Sequence, residues 1–159
     1  MLIAALPRTL VVLGANQGLP GWCVLILREH REHLAELSRA EQLEVFDEVA
    51  RVAAAIRAVF PNSGAGAGPP RINYECLGNQ VHHIHWHVIP RHASDPDPRN
   101  AVWGFPAETL KGTTSDNDKQ TLIAKLRKAI DATNASGVSS RNQEPDRRGG
   151  RPSMRQPPL

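Results

Sequence analysis

Cysteine is nearly absent from this chain: the 159 residues contain two, Cys23 and Cys76, each set in an apolar stretch and without metal-type spacing. So few thiols, so placed, exclude a disulfide framework, and buried free thiols in a reducing, cytoplasmic compartment are the expectation. Long hydrophobic runs are also missing, so no segment reads as a membrane span and no membrane partner is expected. The opening Met1–Leu6 is interrupted by Pro7 and Arg8 and has no basic segment before it, which reads as the lead-in to a first strand rather than a secretory leader.

A charged body is a third absence. The net charge of +3 lies wholly in residues 141–159, where Arg141, Arg147, Arg148, Arg151 and Arg155 face only Glu144 and Asp146. The remainder balances to zero, and a neutral surface does not neutralise the many phosphates that nucleic-acid binding requires. No specific nucleic-acid partner is therefore expected. Residues 136–159, rich in Arg, Pro, Gly and Ser, read as a disordered tail, and residues 1–135 as one domain large enough for a single core.

What the chain does have is periodicity. Thr9–Leu13 and Trp22–Leu27 are short aliphatic runs separated by turn-forming Asn16–Gly21, and both read as strands. Ser38 with Glu41 forms a capping box, and Leu43, Phe46, Val49, Ala50, Ala53, Ile56 and Phe60 recur at helical spacing after it. The glycines of 62–70 follow a helix and precede a strand, the reverse of a phosphate-cradling loop. Arg71–Leu77 predicts a third strand, Gly78-Asn79-Gln80 a turn, and His82–Ile89 an antiparallel partner stopped by Pro90. Asp95–Pro98 is loop. A second helix is expected over Asp116–Ala132, capped by Ser115 and burying Leu122, Leu126, Ala129 and Ile130. Strands and helices without regular β-α-β alternation give an α+β domain.

The most informative segment is His83-Ile84-His85-Trp86-His87. At a side-chain period of two, the three histidines share one face of a strand and Ile84, Trp86 and Val88 the other, with His82 facing away from the row in a structural role. Packing alone does not call for three imidazoles side by side, because protonation would set like charges against one another. Taken singly, His30, His33 and His92 read as ordinary hydrogen-bonded side chains. The row itself fits either a metal site built on neutral imidazoles or nucleophilic catalysis by one ring oriented by its neighbours. Spacing does not separate the two. The absence of any acid or thiol within the strand, with neutral Gly78-Asn79-Gln80 beside it, leans toward catalysis on a phosphate.

Leu77 through Arg91, with its His-φ-His-φ-His-φ-φ core, resembles the signature of the histidine triad (HIT) family. Pro20-Gly21-Trp22 leading to Arg28-Glu29-His30 resembles the family's strand ending in a basic residue and a histidine, and Asp95–Pro98 through Val102-Trp103-Gly104 is similar to bacterial members related to dinucleoside-polyphosphate hydrolases. The resemblance implies a HIT-like fold of about five antiparallel strands with two helices, dimerised so that two sheets join. It also implies a nucleotide substrate cleaved at the α-phosphate of a dinucleoside polyphosphate or a nucleoside phosphoramidate, through a nucleotidyl-histidine and with no cofactor or metal. By position His85 would be the nucleophile, His83 would orient it through its backbone carbonyl, and His87 would face the phosphate and leaving group. Asn79, Gln80, His30 and Asn73 would contact substrate. Gly14, with Asn16 nearby, stands where the family places a ribose-binding side chain, and Trp103 would pack near the site or the dimer contact. A nucleotide-binding or signalling module without catalysis is the alternative, and a zinc-dependent hydrolase a third.

Overall fold

The computed structural model describes residues 1–139, with side chains as far as Thr133. The Arg/Pro-rich tail expected at the C-terminal end lies, from residue 140 on, outside the described residues. Five strands, β1 (Leu2–Ala5), β2 (Thr9–Leu13), β3 (Cys23–Leu27), β4 (Arg71–Glu75) and β5 (His85–Arg91), are joined by helices α1 (Arg39–Val59), α2 (Ala107–Lys111) and α3 (Asp116–Ser139). They form one antiparallel sheet in the order β1-β2-β3-β5-β4. The expected α+β architecture is observed, with α2 added as a short third helix. The opening residues form a strand of their own, paired to β2.

Alternation decides which face each strand buries. Cys23, Leu25 and Leu27 of β3 and Val88 of β5 turn to one side, where they meet Val45, Val49, Val52, Ala53 and Ile56 of α1 and Leu122, Ile123, Leu126 and Ile130 of α3. On the other side Leu19, Trp22, Ile89 and Val102 make a smaller cluster that covers one end of the sheet, with Phe105 and Leu110 packed on it. The rest of that face, around Ile26 and His85, stays open.

Ser38 caps α1 as expected: its hydroxyl accepts from the Glu41 N–H at 3.3 Å and the Glu41 carboxylate from the Ser38 N–H at 2.8 Å. The buried stripe is rotated from the expected one. Leu43 and Phe46 are 54% and 45% exposed, while Glu48, 2% exposed, faces the core. That carboxylate is satisfied by the Thr9 hydroxyl at 2.7 Å and the Arg8 N–H at 2.8 Å, so burying it carries no unpaired polar group. Apolar residues occupy so much of the helix circumference that periodicity admitted both orientations.

The histidine strand is also displaced. It begins at His85, not His82, because the Ile84 N–H bonds the Arg31 carbonyl at 2.8 Å and the chain bends out of the ladder there. His82 is therefore an exposed loop residue, and its expected inward-facing structural role is not seen. Pro90 does not stop the strand. It lies beyond the last β3 pair, Cys23↔Val88, so β5 has a partner on one side only at that point, a position that admits proline.

Candidate active site

The three triad imidazoles reach one place from two kinds of backbone. His85 and His87 project from β5 with ring centroids 5.1 Å apart, whereas His83 comes from the loop of residues 76–84 that precedes the strand. Gly78 opens that loop at φ +67°, a conformation that suits glycine.

Each ring's tautomer follows from a partner that can play one role only. The Leu27 carbonyl accepts, so His83 donates to it from Nε2 at 2.7 Å, leaving its Nδ1 to face Nδ1 of His30 at 3.1 Å. With His83 neutral, the bond between those nitrogens takes its proton from His30. The His83 carbonyl likewise accepts from His85 Nδ1 at 2.7 Å, which leaves the His85 Nε2 lone pair outside that bond. Finally, the Trp22 indole N–H can only donate, and it does so to His87 Nδ1 at 3.1 Å. His87 in its neutral form therefore carries its proton on Nε2.

Burial, reinforced by the neighbouring His85, pushes His87 down to about 4, so it is neutral near pH 7. Beside the rings is an open hollow of about 270 Å³ lined by Val24, Ile26, Val81, His83 and His85. A larger hollow of about 560 Å³, lined by Arg57, Arg71, Tyr74 and His92 among others, includes no triad residue. Both nitrogens of its His92 are already bonded, to Ser63 Oγ and the Pro20 carbonyl at 2.8 Å. The 270 Å³ hollow joins space to two triad rings, and a neighbouring one of about 330 Å³, lined by His33, Cys76, Gly78 and Trp86 among others, also reaches His85. Among the described residues, no three His, Cys, Asp or Glu side chains are grouped so as to hold a metal ion.

The remaining sequence-derived candidates fall around this centre unequally. His30 touches the triad through His83. Asn79 and Gln80 are exposed on the 76–84 loop. Asn73 shares the triad face, two residues before Glu75, the cross-strand partner of His87, but its amide oxygen accepts from Arg91 at 2.7 Å. Gly14 is covered by Trp22: a Cβ there would stand 3.1 Å from the Trp22 carbonyl oxygen, so a longer side chain would crowd that residue.

Trp22 and Arg91 have no role at His87 in the reading of the sequence, whereas Trp103 is expected to pack near the site or the dimer contact. Trp103 packs edge-on to His87 and Trp22, at 5.1 and 5.5 Å between centroids, and donates its N–H to Glu75. Arg91 is buried with Asp95 and also donates to the Asn100 and Asp97 carbonyls at 2.9 and 2.7 Å, tying down the loop that carries Trp103. The folded register identifies Trp22: Val24 lies opposite His87, and Trp22 is two residues earlier, on the same face.

Comparison with known proteins agrees with this geometry. Residues 2–94 match the HIT domain family. The chain is 29% identical over 119 residues to "Protein hit" of Bacillus subtilis (strain 168), covering 75% of this chain and 80% of that one. It is similar to the crystal structure of a histidine triad protein from Sinorhizobium meliloti, with TM-score 0.68, 26% identity and coverage of 81% and 88%. The histidine triad protein of Marinobacter aquaeolei shares the fold at TM-score 0.69 and 21% identity, over 83% and 89% of the two chains. With the family match spanning more than half of its length, this chain belongs to the histidine triad family.

Proposed function

We propose that this protein hydrolyses a nucleotide at its α-phosphorus, either a dinucleoside polyphosphate or a nucleoside phosphoramidate, through covalent attack by His85. The observation that carries the reading is the 2.7 Å bond from His85 Nδ1 to the His83 carbonyl, which leaves the Nε2 lone pair available beside an open hollow. A neutral imidazole needs no prior deprotonation to act as nucleophile. The lone pair forms the P–N bond as the bond from phosphorus to the leaving group breaks. Water then cleaves the P–N bond, restoring neutral His85 and passing one proton to solvent.

Attack on an anionic phosphate needs donors for its equatorial oxygens, and Asn79 with nearby backbone N–H groups fills this role, each worth roughly 3 kcal/mol by analogy with oxyanion-hole deletions. Gln80 and His87 face the leaving group, while Asn73 and His30 act at the edge of the site. Metal-assisted hydrolysis has less support, because both His83 nitrogens face protein partners.

A second copy of the chain fits the outer edge of β4, where the sheet ends and where Tyr74 and Leu77 are exposed. Cys23 is buried but Cys76, expected to be buried too, is exposed, and both are unpaired, which supports a cytoplasmic setting. Single-turnover incubation with a dinucleoside polyphosphate, followed by intact-protein mass spectrometry, tests the assignment: a nucleotidyl adduct that vanishes in His85→Ala supports it. Recovery of the nucleotide intact would identify a binding module instead.

A further inference from the structure

We propose that Trp22, by donating its indole N–H to Nδ1, locks His87 as a neutral Nε2–H donor, and that this lock selects a phosphate rather than an amine as the leaving group. The inference rests on the hydrolase reading above and narrows its two substrate classes to one.

The lock is built rather than incidental. Trp22 is 1% exposed, and the loop before it is held by Gln17, also buried. Gln17 Nε2 donates to the Gly14 and Trp22 carbonyls at 3.0 Å, while its Oε1 accepts from the Gly21 N–H at 3.0 Å. The Gly14 N–H adds a bond to the same Trp22 carbonyl at 2.9 Å. Trp103 packs on another side of the His87 ring and is fastened through Glu75. The ionisable groups facing His87 are His85 along β5 and Glu75 across β4. β3 contributes Val24, and the loops contribute Trp22 and Trp103, none of which titrates near neutral pH. Protonation of Nδ1 would set two N–H groups against each other, so the indole holds the ring neutral in addition to the effect of burial.

A neutral imidazole whose proton sits on Nε2 is a good hydrogen-bond donor and a very weak acid. When His85 attacks an anhydride, the P–O bond breaks with its electrons on the bridging oxygen, and the departing phosphate leaves as a stable anion that needs only a hydrogen bond from His87. An amine leaving group would depart as an amide anion unless it received a whole proton. His87 in this state delivers that proton only by becoming an imidazolate. The locked ring thus supports phosphate departure and withholds what an amine requires.

Two variants test this, Trp22→Phe and replacement of Trp22 by 3-benzothienylalanine, which keeps the shape and removes only the N–H. Both are compared with the parent on diadenosine triphosphate and an adenosine N-alkyl phosphoramidate, while ¹⁵N NMR of labelled histidine reports the His87 tautomer. The parent should show a single Nε2–H tautomer and prefer the anhydride on the order of 100-fold in kcat/KM, the lower range for a positioned proton donor. Losing the N–H should mix the tautomers, raise the pH at which His87 protonates and shrink that preference about tenfold, as the ring becomes able to give a full proton. An unchanged tautomer and ratio in the isosteric variant, or parent cleavage of the phosphoramidate as fast as the anhydride, would overturn the proposal. If the parent cleaves neither substrate while NMR still shows the Trp22-dependent tautomer, the hydrolase reading and the leaving-group selection fall, and the tautomer assignment stands.

Discussion

His85 carries the proposed chemistry through one lone pair, so its removal should have an all-or-none effect. His85→Ala is expected to lower turnover roughly 10⁴-fold or more while leaving the unfolding midpoint near that of the parent, measured by single-turnover assay and thermal melt. His87 makes a different prediction. Its protonation occurs near 6.5 in an unfolded chain and at about 4 in the fold. Between those values the unfolded state binds a proton that the folded state refuses, so stability should fall as pH drops from 6.5 toward 4 and level off below it. Urea titrations at pH 7 and pH 5 should show this drop, and His87→Gln should reduce it. At this scale the sequence displayed the triad outright, because a period of two is visible in the letters. It did not display Trp22, whose role depends on which residue stands across the sheet from it.

Elements place these side chains, and the end of β5 with the loop of residues 92–101 illustrates how. The guanidinium of Arg91 is buried against Asp95 and shares its remaining N–H groups with Asn73 and two backbone carbonyls. Asp95→Ala leaves that cation uncompensated and is expected to cost about 3 kcal/mol, read as a shift in the denaturation midpoint. Because the loop leads to Trp103, the same variant should also weaken the packing around His87 and lower activity. The capping box at Ser38 was legible because it is a local hydrogen-bond pattern, and Ser38→Ala should cost about 1 kcal/mol. The rotation of α1 was not legible. It depends on Glu48 finding Thr9 and Arg8 on another element, and no window along the helix contains them. The start of the histidine strand shifted for a related reason, since the Arg31 carbonyl draws Ile84 out of the ladder.

At the scale of the whole molecule, Tyr74 and Leu77 are exposed on and just beyond β4, the strand that ends the sheet, and we expect a homodimer through that edge. Sedimentation equilibrium should give twice the chain mass for the parent and the single-chain mass for Tyr74→Glu. A parent that sediments as a monomer would refute the docking. Residue types and their spacing were enough to determine the α+β class, most strand positions, the long helices and the row of three imidazoles, because these follow from short-range periodicity and local capping. Only tertiary structure decided which side of α1 is buried, that His83 reaches the site from a loop, and that an indole from the β2–β3 connection fixes the proton of His87. Those outcomes depend on groups brought together from distant parts of the chain, where each hydrogen bond is settled by what its partner can donate or accept.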